Sequence, residues 1–535
     1  MPETTLSVPR TFGRLRVTGR RSAKRPEPVG RRAWGIVALV VVLLSVIFVT
    51  ATGMRPAFDA YGWLVWGREA AHWSLDTSAA PSWKPLTFLF TFPYALLLDG
   101  AALWAWMVTA VAAALAAPVL AARIAYRLTA PHARRRYPAA AAGAFAGAGV
   151  LGIEGYGHFM LIATADPMIV ALCLAAIDCA LSRRRGLTWL LLVLVCLGRP
   201  EAWPLALAYV LWAWREAPER HRVLVGGLAA IPLLWFGVPA LTSNSWMIAA
   251  DVLSESTHSL PGNKLDAVIS SLISLYELPM QIMVLLALVL AVVLRERTWL
   301  LVASAAALWV AADVVFAWHG WGIAPRYLFE PAAMLVLLAA AAVGRALALD
   351  GHRHALLRLA AIATVLVLVV TLAPHAQQRA RLVHNGIVLG RTWTRQIHRL
   401  HTLIATAGGV KRILACGQPV TEVSYQSVLA WELGENVIDV GWKPRTWIRL
   451  GVPIVLFEPR GAGWQARPIH ALSRRNPNPA QPPERNHRRE QTRDASVVQR
   501  SLHRFSGPSH PARTSGAGAR PSNRCDQLAI DTALG

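Results

Sequence analysis

Nine long apolar stretches, at about residues 34–52, 101–123, 138–153, 165–181, 223–241, 280–294, 298–318, 327–348 and 355–373, limit what this chain can become. Each approaches the roughly 20 residues that cross a bilayer as helix. A further apolar stretch between Leu187 and Trp214 is broken by Arg199-Pro200-Glu201. Each of its halves, at about 12 to 14 residues or 18 to 21 Å of helix, is shorter than the bilayer core, which predicts two short or tilted helices turning at the break. The expectation is an all-α polytopic transmembrane bundle of about eleven segments.

Composition agrees, with 55% hydrophobic and only 16% charged residues in 535. The formal charge of +24 is gathered at the ends of the chain and between apolar runs, where membrane topology uses it, so nucleic acid is not an expected partner. Residues 1–33 hold nine Arg or Lys against two Glu and are read as a disordered basic leader. It is too long for a signal peptide, and the run after it reads as a retained first helix. Six basic clusters, from Arg31-Arg32 to Arg345–Arg358, fall on one side if the spans alternate. The positive-inside rule then puts the N-terminus in the cytoplasm and everything after Pro374 outside, in a multi-pass protein of the cell membrane.

The module of residues 34–373 is followed by 374–470, read as a small extracytoplasmic α/β domain. Its expected strands are 412–417, 436–440 and 453–457, with a helix over 423–433. Residues 471–535, with eleven Arg against five acids, are read as a disordered basic tail, and their change of composition also permits a reading-frame artefact. The five cysteines suggest no framework and are read as core-filling thiols.

Chemistry concentrates on the predicted outer face. Asp59 follows the first apolar run, where a carboxylate is costly unless water or reaction requires it. Trp63, Trp66, Ala70 and Trp73 recur at helical spacing, as for a helix lying in the headgroup layer, and Asp59 then reads equally as the cap of a helix beginning at Ala60. Lys84, in Ser82-Trp83-Lys84-Pro85-Leu86, heads an apolar stretch too short to span, and it suits the phosphate of either a lipid headgroup or a lipid-linked substrate. Arg199 and Glu201 either neutralise one another or line a wet cavity. Asp166 before Pro167 has the form of an N-cap. His158 is an interface residue or a substrate contact. Arg326, beyond the turn of His319-Gly320-Trp321-Gly322, either snorkels or faces a site.

The string Trp66-Gly67-Arg68, Ser82-Trp83-Lys84-Pro85-Leu86, Gly198-Arg199-Pro200-Glu201-Ala202-Trp203 and Pro325-Arg326-Tyr327-Leu328 is similar to multi-spanning proteins of high-GC actinobacteria. Those lie near the GT-C superfamily of polyprenyl-phosphate-dependent glycosyltransferases, which residues 34–373 resemble. The resemblance implies transfer of a sugar, hexose or pentose, from a polyprenyl-phosphate donor to a cell-envelope glycan, lipid or protein acceptor, with inversion. Asp59 would be the base, and Lys84, Arg199 and Arg326 would hold the donor phosphate. Trp63, Trp66, Glu154, His158, Asp166, Glu201 and His319 would contact substrate, and the 242–279 loop and the appendage would help choose the acceptor. No cofactor or metal is expected: DxD, HExxH, P-loop and GxSxG motifs are absent from the sequence. Two rival readings are a transporter or lipid-carrier flippase, with Asp178 and Asp313 among the charges lining its path, and a non-catalytic scaffold.

Overall fold

The computed structural model describes residues 31–469, apart from 80, 217, 257–261, 322–323, 350–354 and 462, together with 525 and 530–531. Residues 1–30 of the basic leader and most of the basic tail lie outside the described residues, and Arg31-Arg32 begin α1.

The helices run α1 Arg31–Thr52, α2 Phe58–Ala71, α3 Pro85–Leu98, α4 Ala102–Thr129, α5 Tyr137–Leu151, α6 Tyr156–Leu161, α7 Asp166–Leu181, α8 Arg185–Gly198, α9 Trp203–Glu216, α10 His221–Pro232 and α11 Val238–Thr242. Then come α12 Ile248–Ser256, α13 Lys264–Ser274, α14 Leu278–Val293, α15 Arg297–Trp318, α16 Phe329–Leu347 and α17 Ala355–Thr406. Among the described residues five stretches are long and apolar enough to cross a membrane: Arg32–Thr52, Ala102–His132, Pro218–Thr242, Arg297–Trp318 and Pro325–Leu347. Counting α13 and α14, bent by 109° at their junction, as one span gives six. The expected eleven is therefore too many on these criteria, because α5, α7, α8 and α9 come out at 14 to 16 residues. Such helices are about 21 to 24 Å long, against about 30 Å of hydrocarbon.

The centre of the bundle is α16, where nearly every residue from Phe329 to Gly344 is buried. Its row of alanines lets neighbours approach closely. Leucine, isoleucine and valine side chains of α1, α14 and α17 remain exposed, as for surfaces that face lipid. The basic loops gather at one end: Arg123 and Arg127 both reach Asp178, Arg345 reaches Glu296, and Arg185 reaches Glu216. The rival reading's Asp178 is thus occupied there as a structural counter-ion.

Helices α2 and α3 pack together at the other end. Gly67 permits this, since a Cβ there would stand 2.5 Å from the carbonyl oxygen of Thr91. The interfacial helix expected for α2 is corrected: Trp63 and Trp66 are fully buried, against Trp106 and Trp83 respectively, and only Trp73 is exposed. Protein covers α2 on several sides, so its indoles meet core instead of headgroups.

The 52 residues of α17 pass through Pro374 without a break, so the expected boundary at 373/374 falls inside one helix. The appendage beyond it contains α18 Val410–Cys416, α19 Gln426–Leu433 and α20 Pro444–Arg449. Its sheet has the order β1 Gln418–Val420, β2 Ile454–Arg460, β3 Gly463–Ile469, β4 Ile530–Asp531, with β1 parallel to β2 and the other pairs antiparallel. Two expected strands are corrected: 412–417 is largely α18, and 436–440 holds the helical turn Val437–Asp439. Short apolar runs read alike as strand or buried helix, and tertiary packing decides between them. Strand β3 was not expected at all. The thiol reading is corrected for Cys416 and Cys525, which form a disulfide; Cys173, Cys179 and Cys196 are free and buried, as expected. With β4, this bond brings part of the expected tail onto the sheet.

Candidate active site

A cavity of about 400 Å³ opens where the ends of α8, α15 and α16 meet α2 and the loop before α3. Asp59, Lys84, Arg199 and Arg326, spread over 267 residues of sequence, all line it, as do Trp63 and Glu201.

Asp59 stands in the first turn of α2, where the positive end of the helix dipole favours a carboxylate. The helix begins at Phe58 with Ala57 at its cap and no side-chain cap bond, so the capping role weighed for Asp59 is not what the structure shows. The loop before α2 is held by main-chain and side-chain bonds, Ala57 N–H to the carbonyl of Ile162 at 3.1 Å and the Trp393 indole to the carbonyl of Pro56 at 3.0 Å. Lys84 places its ammonium 5.4 Å from the centre of the Trp63 ring. Burial pushes its pKa down, opposed chiefly by the negative charge of Asp166. Arg326 lies 5.5 Å from the rings of both Phe159 and Tyr327. Among the described residues neither Lys84 nor Arg326 has a carboxylate within ion-pair distance, although Asp59 is close enough to exert an attractive field on both.

Arg199 differs from those two cations. It grips the carboxylate of Asp166, stands 3.9 Å from Glu201, and lies over the Tyr327 ring at 4.1 Å. Asp166 occupies the first turn of α7 and makes no cap bond, so its carboxylate holds Arg199 where the sequence suggested an N-cap. Asp313 and Glu330 lie within electrostatic reach of the same guanidinium and are fully buried. The acidic groups of α15 and α16 therefore converge behind Arg199 at one end of the bundle instead of marking a path along it.

Pro200 shapes the wall. Having no N–H, it leaves the carbonyl of Cys196 free at the end of α8, and the indoles of Trp203 and Trp235 both donate to that oxygen, at 3.2 and 2.8 Å. Trp235 belongs to a π-helical turn, Leu233–Gly237, that also carries Phe236. With Trp246, Phe316, Trp321 and Tyr327 they form a predominantly apolar aromatic lining.

Several expected contacts sit elsewhere. Trp66 is core, and Glu154 pairs with Arg379 of α17 beside Glu277. His158 packs edge-on against Phe159, and His319 is exposed, with a ring nitrogen 2.9 Å from the carbonyl of Val315. Conversely Trp235, Phe236, Trp246, Met247, Phe316 and Val423 were not picked out from sequence. Aromatic residues at helix ends in a membrane protein look like interfacial anchors, so nothing marked these as lining one cavity. No group of His, Cys, Asp and Glu suited to holding a metal ion occurs among the described residues.

In overall arrangement the chain is similar to ArnT. The ArnT of Cupriavidus metallidurans bound to undecaprenyl phosphate aligns over 80% of this chain and 93% of that one, at 15% identity and a TM-score of 0.49. The apo state of the same protein aligns over the same shares at 16% identity and 0.47. The chemistry of the cavity follows from its own side chains. No protein-family model matches the chain, and no curated protein matches it.

Proposed function

We propose that this protein is a membrane glycosyltransferase that moves a sugar from a polyprenyl-phosphate donor to a hydroxyl acceptor, at the outer face of the cytoplasmic membrane. One observation carries the reading: a carboxylate, Asp59, shares a cavity with two cations, Lys84 and Arg326, that have no ion-pair partner among the described residues. A site built this way has a place for a proton and a place for an anion. The acceptor oxygen attacks the anomeric carbon, the bond from that carbon to the phosphate oxygen breaks, and the acceptor proton passes to Asp59. The polyprenyl phosphate leaves with the bonding electrons, and its charge is met by Lys84 and Arg326 in a site from which much water is excluded. A single displacement inverts the anomeric carbon. Arg199, already neutralised by Asp166 and Glu201, contributes a fixed dipole and holds Tyr327 in the wall. The aromatic lining suits the sugar faces and the first isoprene units.

The outward orientation is supported by the basic loops, which gather at the end opposite the cavity, and by the Cys416–Cys525 disulfide, a bond typical of oxidising compartments.

Membranes containing the parent chain and Asp59→Asn, assayed against a panel of polyprenyl-phosphate sugars, test the proposal. Loss of the base should lower turnover by about 10² to 10⁴. Undiminished turnover with a donor that the parent uses removes Asp59 from this role.

A further inference from the structure

Helix α2 carries Asp59 in its first turn and Arg68 in its last. Arg68 is not part of the cavity lining. Its guanidinium instead reaches the appendage, where Nη2 donates to the carbonyls of Ala430 and Glu435 at 3.3 and 2.9 Å, and Nη1 donates to that of Trp431 at 3.3 Å. These oxygens surround the last turn of α19, where the helix dipole is negative and a cation is favoured. The guanidinium carbon also lies 5.3 Å from the centre of the Trp431 ring.

The contact extends along α2. Tyr61 meets the ring of Trp431 at 6.3 Å, and a Cβ on Gly62 would stand 3.0 Å from the hydroxyl oxygen of Ser427. The chain entering α19 supplies Val423, which lines the cavity together with Asp59. A 14-residue helix is a rigid rod of about 21 Å, so a clamp at one end governs the other.

We infer that Arg68 is a positioning residue: by tying α2 to the last turn of α19, it makes the appendage fix where the Asp59 carboxylate stands in the cavity. The effect on turnover rests on the reading of Asp59 as base; the clamp does not. The planar fork of arginine is what spans three carbonyls, and lysine cannot replace it.

Two measurements on the full chain in lipid nanodiscs separate these points. In the first, Asp59→Cys introduces a thiol into a protein whose free cysteines are all buried, and its modification rate by a small charged maleimide is followed without substrate. Adding Arg68→Ala should raise that rate about fivefold or more as α2 loosens, with Arg68→Lys between the two. A rate that is unchanged or lower overturns the clamp. In the second, with Asp59 intact, Arg68→Lys should lower kcat about 10- to 100-fold while KM for the polyprenyl-phosphate sugar stays within about twofold, since the phosphate-holding cations are on other segments. Unchanged kcat, or a rise in KM that accounts for the whole loss, overturns the positioning role. Absence of transfer by the parent with every donor counts against the proposed function, and the thiol rates still decide the clamp. Arg68→Lys keeps the charge, so the comparison survives if Arg68→Ala does not fold.

Discussion

Arg199 and Asp166, 33 residues apart, close on one another in the interior with side chains only 4% and 2% exposed. This pair joins the break between α8 and α9 to the start of α7, and its Arg199 lines the cavity.

Removing one member takes from the other its nearest buried counter-ion. Asp166→Ala or Arg199→Met should each destabilise the protein by about 3 to 5 kcal/mol, read as a fall in denaturation midpoint. The double variant should recover part of that loss, because the two charges leave together while Glu201 loses its Arg199 partner. A double variant as unstable as the sum of the two would show that the pair does not act as a unit.

Lys84 and Arg326 should behave differently, having no buried partner to strand. Lys84→Met and Arg326→Met are expected to leave stability within about 1 kcal/mol, while each weakens polyprenyl-phosphate binding by about 1.5 to 3 kcal/mol, or roughly 10- to 150-fold. Titration with a polyprenyl phosphate in nanodiscs measures this, and binding equal to the parent's would remove either residue from the phosphate site.

Glu69 supplies a pH signature. Its buried carboxyl is pushed up to about 8 by desolvation, against the opposing hydrogen bond from the main-chain N–H of Asp76 at 3.0 Å. Between its ordinary value and about 8 the folded state therefore holds a proton that the unfolded state has lost, so stability should fall as pH rises through that window. Glu69→Gln should abolish this slope. Melting temperatures at pH 5 and pH 9 decide it: the variant should gain on the parent at the higher pH, and parallel curves would contradict the assignment.

The orientation of the appendage is tested by its disulfide. In intact cells a membrane-impermeant maleimide should label Cys416 and Cys525 only after treatment with a membrane-impermeant reductant. Labelling that requires cell rupture would place the appendage in the cytoplasm and reverse the topology.

Much of this molecule is decided by one-dimensional patterns. Apolar length determined where most long helices run, because burying or bathing a helix in lipid requires no knowledge of its neighbours. Pro200 between Arg199 and Glu201 determined that α8 ends there, since a missing N–H is a local property. The isolated charges at Asp59, Lys84 and Arg326 were also conspicuous locally, as ionised groups beside apolar runs. What sequence leaves open is which partner each group finds. Asp166 is a cap by its neighbours and a counter-ion by its position; Glu154 lies near Asp166 in sequence, yet it is taken by Arg379 from α17. Trp63 and Trp66 have the spacing of an interfacial stripe, but α3, α4 and the appendage cover them. The strands of the appendage, too short to carry a decisive period, were fixed by partners distant in sequence, β4 on β3 among them, and by the Cys416–Cys525 link across 109 residues. Helix-forming and membrane-entering tendencies are summed along the chain, whereas a cavity exists only where distant segments meet in space.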